Sequence, residues 1–196
     1  MRHRRKGRKL GRNPNHQRAL LRSLATALFL TEYEYDEDDK SKPKEKGRIV
    51  TTIQKAKEVR PLVERCITIA RKVLDQKAEA ERLYTSAERN TAEWKAWREG
   101  EDWREWIKSA APVVAARRRV LTLLGSKRAV RVLFEEVAPR FADRDGGYTR
   151  ILKLAKPRLG DAGTRVILEL VGKNDRVRKK SQRPVFDGEA AAPAAE

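Results

Sequence analysis

The first 22 residues, MRHRRKGRKLGRNPNHQRALLR, hold nine lysines and arginines and no acid. Those residues are Arg2, Arg4, Arg5, Lys6, Arg8, Lys9, Arg12, Arg18 and Arg22. The chemistry such a run can do is anion binding. Each phosphate neutralised by a lysine or arginine releases condensed counterions, which gives affinity without reading a base sequence. Arginine predominates, and a planar guanidinium both bridges phosphates and stacks on splayed bases, which suits RNA. Gly7 and Gly11 let the backbone come close to a partner, while His3 and His16 are available to stack or hydrogen-bond. The whole chain carries a formal charge of +18 and a pI near 10.4, an excess that attracts polyanions. The arm's cations are undiluted, unlike the mixed charges of residues 71–104, so segregation marks a surface.

Little else points to chemistry. The two histidines both lie in the basic N-terminal region, and Cys66 is the only cysteine. No spacing for a tetrahedral metal site arises, and no intramolecular disulfide can form. A phosphate-binding G-x-x-x-x-G-K-S/T loop is missing, and GGYTRI and LGDAG lack the glycine pattern of a dinucleotide site. The acidic run from Glu32 to Asp39 has neither the spaced oxygens nor the bidentate glutamate of a calcium loop; it reads as a solvated face that repels acidic partners. Gly146-Gly147 reads as a turn, with Arg150 beyond it open to a phosphate or base. Cys66 lies on an apolar stripe and is assigned to core packing. No catalytic residue, metal or cofactor is expected. The longest apolar run, LLRSLATALFL, is too short to span a bilayer, carries Arg22, and is followed by TEYEYDEDDK where a secretory signal would have a cleavage site. The expected compartment is the cytoplasm.

The elements that must position these cations follow from periodicity. Asn13-Pro14 reads as a cap and first helical residue, opening a helix to about Phe29 with Leu21, Leu24, Ala25 and Leu28 as its apolar stripe. An acidic, then lysine-rich loop leads to the β-branched strand RIVTT, residues 48–52. A helix from Ile53, with Thr52 as its expected cap, carries Val59, Val63, Cys66, Ile67, Ala70 and Leu74 and should kink at Pro61. Residues 75–111 are charged and alanine-rich but contain all four tryptophans, Trp94, Trp97, Trp103 and Trp106. These suit either stacking on exposed bases or a small local core. Pro112 should open a helix bearing Val113, Ala116, Val120, Leu121 and Leu124. Ser126 should cap the next, with Val130, Leu133, Phe134 and Val137, ended by Pro139. Tyr148 to Leu154 and Thr164 to Val171 read as two strands pairing antiparallel, the second central. The sum is an α+β two-layer sandwich with a small sheet covered on one side.

Five blocks in order, MRHRRKGRKLGR, HQRALLRSLATAL, IVTTIQKAKEVRPLVERCITIARK, VRVLFEEVAPRFADRDGGYTRILKL and RLGDAGTRVILELV, closely resemble the bacterial large-subunit ribosomal protein L-seventeen family. The resemblance covers most of residues 1–75 and 112–172. It implies an α+β domain in the order helix, strand, three helices, two strands. It also implies a structural constituent of the large subunit, bound to large-subunit rRNA beside neighbouring ribosomal proteins near the exit tunnel, supporting assembly and translation, with no small-molecule substrate. Matching positions implied as rRNA contacts are Arg2, His3, Arg4, Gly7, Lys9, Leu10, Arg12, His16 and Arg18, then Lys55, Lys57, Arg144 and Arg150; the charge argument adds Arg5, Lys6, Arg8 and Arg22. Residues 33–47 and 76–110 depart from the family pattern as insertions. The expected division is a basic arm over 1–12 that orders on RNA, one domain over 13–175, and a basic then low-complexity, disordered tail over 176–196. Two rivals remain open: a free, nucleoid-like nucleic-acid-binding factor, and an RNA-processing enzyme for which Asp161 and Glu169 would be the carboxylates to test.

Overall fold

The structure is a computed structural model that describes residues 7–36 and 38–172; the C-terminal tail and residues 1–6 of the arm lie outside them. Helix α1 spans Pro14–Leu30, strand β1 Arg48–Thr52 and helix α2 Ile53–Arg71. Helices α3 (Leu74–Leu83), α4 (Ala92–Glu99) and α5 (Glu101–Leu124) follow. A further helix begins as α6 (Lys127–Val132), widens into a π-helical segment over Leu133–Val137 and ends in a last turn, α7 (Ala138–Arg140). Strands β2 (Thr149–Lys153) and β3 (Arg165–Leu170) close the domain.

The three strands form one antiparallel sheet in the order β1-β3-β2. As its apolar sequence predicts, β3 is central. One face turns Ile49, Leu168 and Ile151 toward the helices; the other carries Val50, Ile167 and Leu152, with Val50 and Leu152 exposed. Alternation along each strand enforces this division. Tyr148 falls outside the pattern. It precedes β2 and is buried against the Phe141 ring, with centroids 5.1 Å apart.

Helix α2 organises the core. It packs against all three strands and also against α1 and α5. Ala56, Val59, Val63, Cys66, Ile67 and Ala70, at helical spacing, are all fully buried. The stripes of α1, α5 and α6 meet it through Ala25, Leu28, Val120, Leu124, Leu133, Phe134 and Val137.

Several local features differ from the sequence reading. Thr52 occupies the cap position of α2 but its side chain makes no capping bond. Because β1 runs straight into α2, the Ile53 amide is instead satisfied by the carbonyl of Thr164, at 3.1 Å. At Pro61 α2 continues, as expected, and no new helix starts there. Pro61 and Lys57 are both exposed, so solvent can reach the carbonyl from which a proline withholds the helical donor. Pro112 does not open a helix; it sits within α5, which packs against α3. Pro139 does not stop its helix at once either. The π-helical widening just before it, with Ala138 N–H bonded to the carbonyl of Leu133, makes room for the proline ring. Ser126 caps as expected, accepting from Ala129 N–H at 3.3 Å.

The acidic run is not uniformly solvated. Glu32, at the end of α1, is 9% exposed and accepts two hydrogen bonds from the Arg140 guanidinium, at 2.7 and 2.9 Å. Its position at the helix end turns it inward, while Glu34, Asp36, Asp38 and Asp39 remain exposed. The loop after it closes on Gly47, whose N–H donates to Thr31 Oγ1 at 3.0 Å and whose carbonyl accepts from Leu170 at 2.8 Å. Gly47 has φ +74°, and a Cβ there would stand 2.8 Å from Glu32 Oε1, so only glycine fits.

The tryptophans build local packing. Trp97 and Trp106 lie 5.7 Å apart edge to face, Tyr84 joins both, and Trp97 Nε1 donates to the carbonyl of Leu83 at 3.2 Å. Arg98 stacks between Trp94 and Trp103. This is the small local core that α3, α4 and the first half of α5 need, being poor in aliphatics.

Two outcomes test this packing. Arg140→Ala strands the Glu32 carboxylate in the interior and is expected to cost about 3–5 kcal/mol in urea unfolding, whereas Glu32→Leu/Arg140→Leu together cost less. Burial pushes the Cys66 thiol up to about 12, against the lowering charge of Arg65. The folded protein therefore holds a proton that the unfolded chain releases above about pH 8.5, and stability is lost as pH rises between those values, by at most about 1.4 kcal/mol per pH unit. Cys66→Ala should lack that component when the two unfolding curves are subtracted.

Candidate nucleic-acid interface

The described part of the arm, residues 7–12, runs against the starts of α1 and α2. Asn13 caps α1, its Oδ1 accepting from Asn15 N–H at 2.8 Å, and Pro14 takes the first helical position. Gln17, one turn into the helix, reaches back so that its Nε2 donates to the carbonyl of Gly11 at 2.6 Å. Gly11 has φ +145°, and a Cβ there would lie 3.2 Å from His16 Cδ2. The glycine thus permits both the turn and the close approach of His16. Arg8 Nε lies 3.5 Å from Glu58 Oε1 on α2. Residues 7–12 are therefore tethered to the body at Glu58 and Gln17, a partial departure from an arm free of contacts until it meets RNA. Arg2, His3, Arg4, Arg5 and Lys6 lie outside the described residues.

The structure sorts the remaining predicted contacts by what already holds them. Lys9, Arg12, Arg18 and Lys57 are exposed, Lys55 is half-buried, and their side chains have no acidic partner among the described residues. Together with His16 and the half-buried Leu10, they form a group at the N-terminal ends of α1 and α2. Arg22, further along α1, donates to the carbonyl of Thr122 at 3.0 Å, fastening α1 to the end of α5. Arg144 and Arg150 lie apart from this group. Arg144 Nε donates to Gly146 at 3.1 Å, and its own carbonyl accepts from Arg71. Arg150 donates to Glu169 Oε1 at 2.7 Å, while Arg48 flanks the same carboxylate from β1 at 3.8 Å. Arg48, Glu169 and Arg150 thus form a row across the open face of the sheet, in register.

Both carboxylates considered for catalysis are held by arginines. Glu169 is 7% exposed between two arginines. Asp161 is bonded to Arg158 and to Gly163 N–H, and both contacts hold its carboxyl well below the usual range. That arrangement fixes the loop between β2 and β3. Among the described residues no group of three His, Cys, Asp or Glu could hold a metal, and no helix is long and apolar enough to cross a membrane.

Sequence reasoning passed over a second set of cations. Arg117, Arg118 and Arg119 are exposed on α5 between buried Ala116 and Val120, and Arg117 stacks over the Phe134 ring at 5.4 Å. Arg65 and Lys72 stand exposed along and just beyond α2. The signal was present as three consecutive arginines between the core positions Ala116 and Val120.

A family model described as ribosomal protein L17 matches residues 20–171. The chain belongs to the ribosomal protein L17 family. It is 58% identical over 200 residues to the large ribosomal subunit protein bL17 of Rhodopirellula baltica, covering all of this chain and 95% of that one. The bL17 protein of Lactobacillus helveticus is 40% identical over 164 residues, 84% of this chain and 98% of its own. That of Bifidobacterium longum subsp. infantis is 34% identical over 191 residues, 97% of this chain and 76% of its own. Similarity to the first spans residues 33–47 and 76–110 as well.

Gly11→Ala tests the arm's anchorage. The strained conformation and the crowding of His16 should release the Gln17 bond. Amide hydrogen exchange over residues 7–12 is expected to rise several-fold while the urea midpoint of the body stays nearly unchanged.

Proposed function

We propose that the chain is a structural constituent of the large ribosomal subunit, binding large-subunit rRNA through its arm and the adjoining ends of α1 and α2, and that it performs no catalysis. The observation that carries this reading is the group Lys9, Arg12, Arg18, Lys55 and Lys57: cations without acidic partners among the described residues, on the arm and the first turns of α1 and α2. The names of its relatives support the large subunit as the setting. In this reading the protein is ribosome-bound in the cytoplasm, beside other large-subunit proteins near the exit tunnel. The arm over residues 1–12 penetrates the RNA and completes its ordering there, coupling its folding to particle assembly. Residues 13–175 are the single domain that carries it, with 33–47 and 76–110 as insertions and 176–196 as a tail.

The mechanism is electrostatic capture followed by geometric fixing. A dense flexible charge gains affinity by counterion release, without base specificity. The body contributes orientation, because α1 and α2 pack on each other in the core and Arg22 ties α1 to α5. Phosphate contacts of this kind position a protein on RNA. In this reading Arg2, His3, Arg4, Arg5, Lys6, Gly7 and Arg8 are further rRNA contacts. Arg144 and Arg150 would contact RNA from the opposite end of the sheet, while their present bonds hold them in place.

Replacing Lys9, Arg12 and Arg18 by glutamine should weaken binding to a large-subunit rRNA transcript. The slope of log affinity against log salt should become shallower by roughly 2 to 3, at about 0.7–0.9 per lost contact, with no fall in melting temperature. Tagged protein should sediment with large subunits at low and high salt. Comparable affinity for arbitrary DNA duplexes, without sedimentation on subunits, would instead establish the free nucleic-acid-binding factor.

A further inference from the structure

Between α2 and α5 lies a groove of about 630 Å³, edged by Arg65, Lys72 and Arg119 and floored by Ile69, Val73 and Ala116. We infer that this groove is a second RNA-binding site, holding a ribose-phosphate strand that continues from the arm. The inference rests on the ribosomal reading above.

The first argument is the difference between these cations and their neighbours. Arg60 is paired with Glu64 at 3.1 Å, Arg71 with Asp145, and Glu58 with Arg8 at 3.5 Å. The side chains of Arg65, Lys72 and Arg119 form no ion pair or hydrogen bond among the described residues. All three are exposed, and no acid lines the groove. Like charges so placed repel one another, and an anion between them relieves that repulsion.

The second argument is alignment. Glu58, where the arm is tethered, Arg65 and Lys72 are spaced by seven residues. Seven residues make nearly two helical turns, so the three positions share one side of α2 at intervals of about 10 Å. The arm's anchor and the groove are thus two stations on one track, with Arg119 facing it from α5. The third argument is the mixed lining. A positively charged groove tracks a nucleic-acid backbone, and the aliphatic floor of Ile69, Val73 and Ala116 can lie against riboses.

The full-length protein and a large-subunit rRNA transcript provide the test. Arg65→Gln/Lys72→Gln/Arg119→Gln should make the salt slope shallower by roughly 2 to 3 and weaken binding, with an unchanged melting temperature. In the wild-type protein, bound rRNA should protect Lys72 from acetylation, a readout that needs no variant. If the groove variant keeps the wild-type slope and Lys72 stays reactive in the complex, while the Lys9/Arg12/Arg18 variant loses affinity, the groove proposal is overturned and the ribosomal reading stands. If Lys72 is protected only in whole subunits and crosslinks to a protein, the groove takes an acidic peptide and the proposal is again overturned. If the wild-type chain binds the transcript no better than unrelated RNA, the ribosomal reading itself falls.

Discussion

Everything in this domain depends on α2 being buried along one stripe from Ala56 to Ala70 between the sheet and two helices. A helix with six fully buried residues at that spacing cannot rotate without pulling apolar side chains into water, at about 25 cal/mol for each Å² exposed. Its polar side is fixed by the same constraint. Lys57, Arg65 and Lys72 therefore stand at set places on the surface, although no bond of their own holds them there. Core packing supplies the precision that flexible cationic side chains lack.

The chain's positive charge is divided by use. Arg140 holds the buried Glu32, Arg48 and Arg150 hold Glu169, Arg158 fixes a loop through Asp161, and Arg22 ties α1 to α5. A second population, from Lys9 and Arg12 to Arg119, has no such employment among the described residues. Composition counts both populations alike, and only geometry separates them. An arginine already bidentate on a buried carboxylate must give up that bond to meet a phosphate, whereas an unpaired one gives up only hydration. This difference ranks Lys9, Arg12 and Arg18 above Arg150 as RNA contacts, an order that spacing along the chain does not convey.

Much of the fold was legible because its elements are locally consistent. The Asn13-Pro14 start of α1, the β-branched strand before Ile53, the Ser126 cap and the central position of β3 each rest on a signal within a few residues. The cationic start was a local signal too, since nine cations without an acid fall within its first 22 residues. The misreadings share a cause. Pro112 and Pro139 were weighed as local breakers, yet one lies within α5, packed on α3, and the other follows a π-helical widening. Thr52 lost its capping role to Thr164, more than a hundred residues away. Glu32 looked like one acid among several because its partner Arg140 lies far along the chain. Tertiary partners of this kind leave no periodic trace.

The segment over residues 76–110 shows how the same physics serves a region with few aliphatic side chains. With no aliphatic stripe, it covers its short helices with Tyr84, Trp97 and Trp106 edge to face and with Arg98 between two more tryptophan rings. Aromatic pairs of this geometry contribute about 0.5–1.5 kcal/mol each beyond the area they bury, enough to order a small appendage already fastened by α3 to α5. The fastening has a consequence for the groove. Pro112 sits at its edge, where the freed backbone of α5 would otherwise let the helix bend. α3 packs on α5, and Lys77, Ala80 and Tyr84 line one hollow with Ala110, Val113 and Arg117 from either side of Pro112, so the appendage braces the helix that carries Arg119.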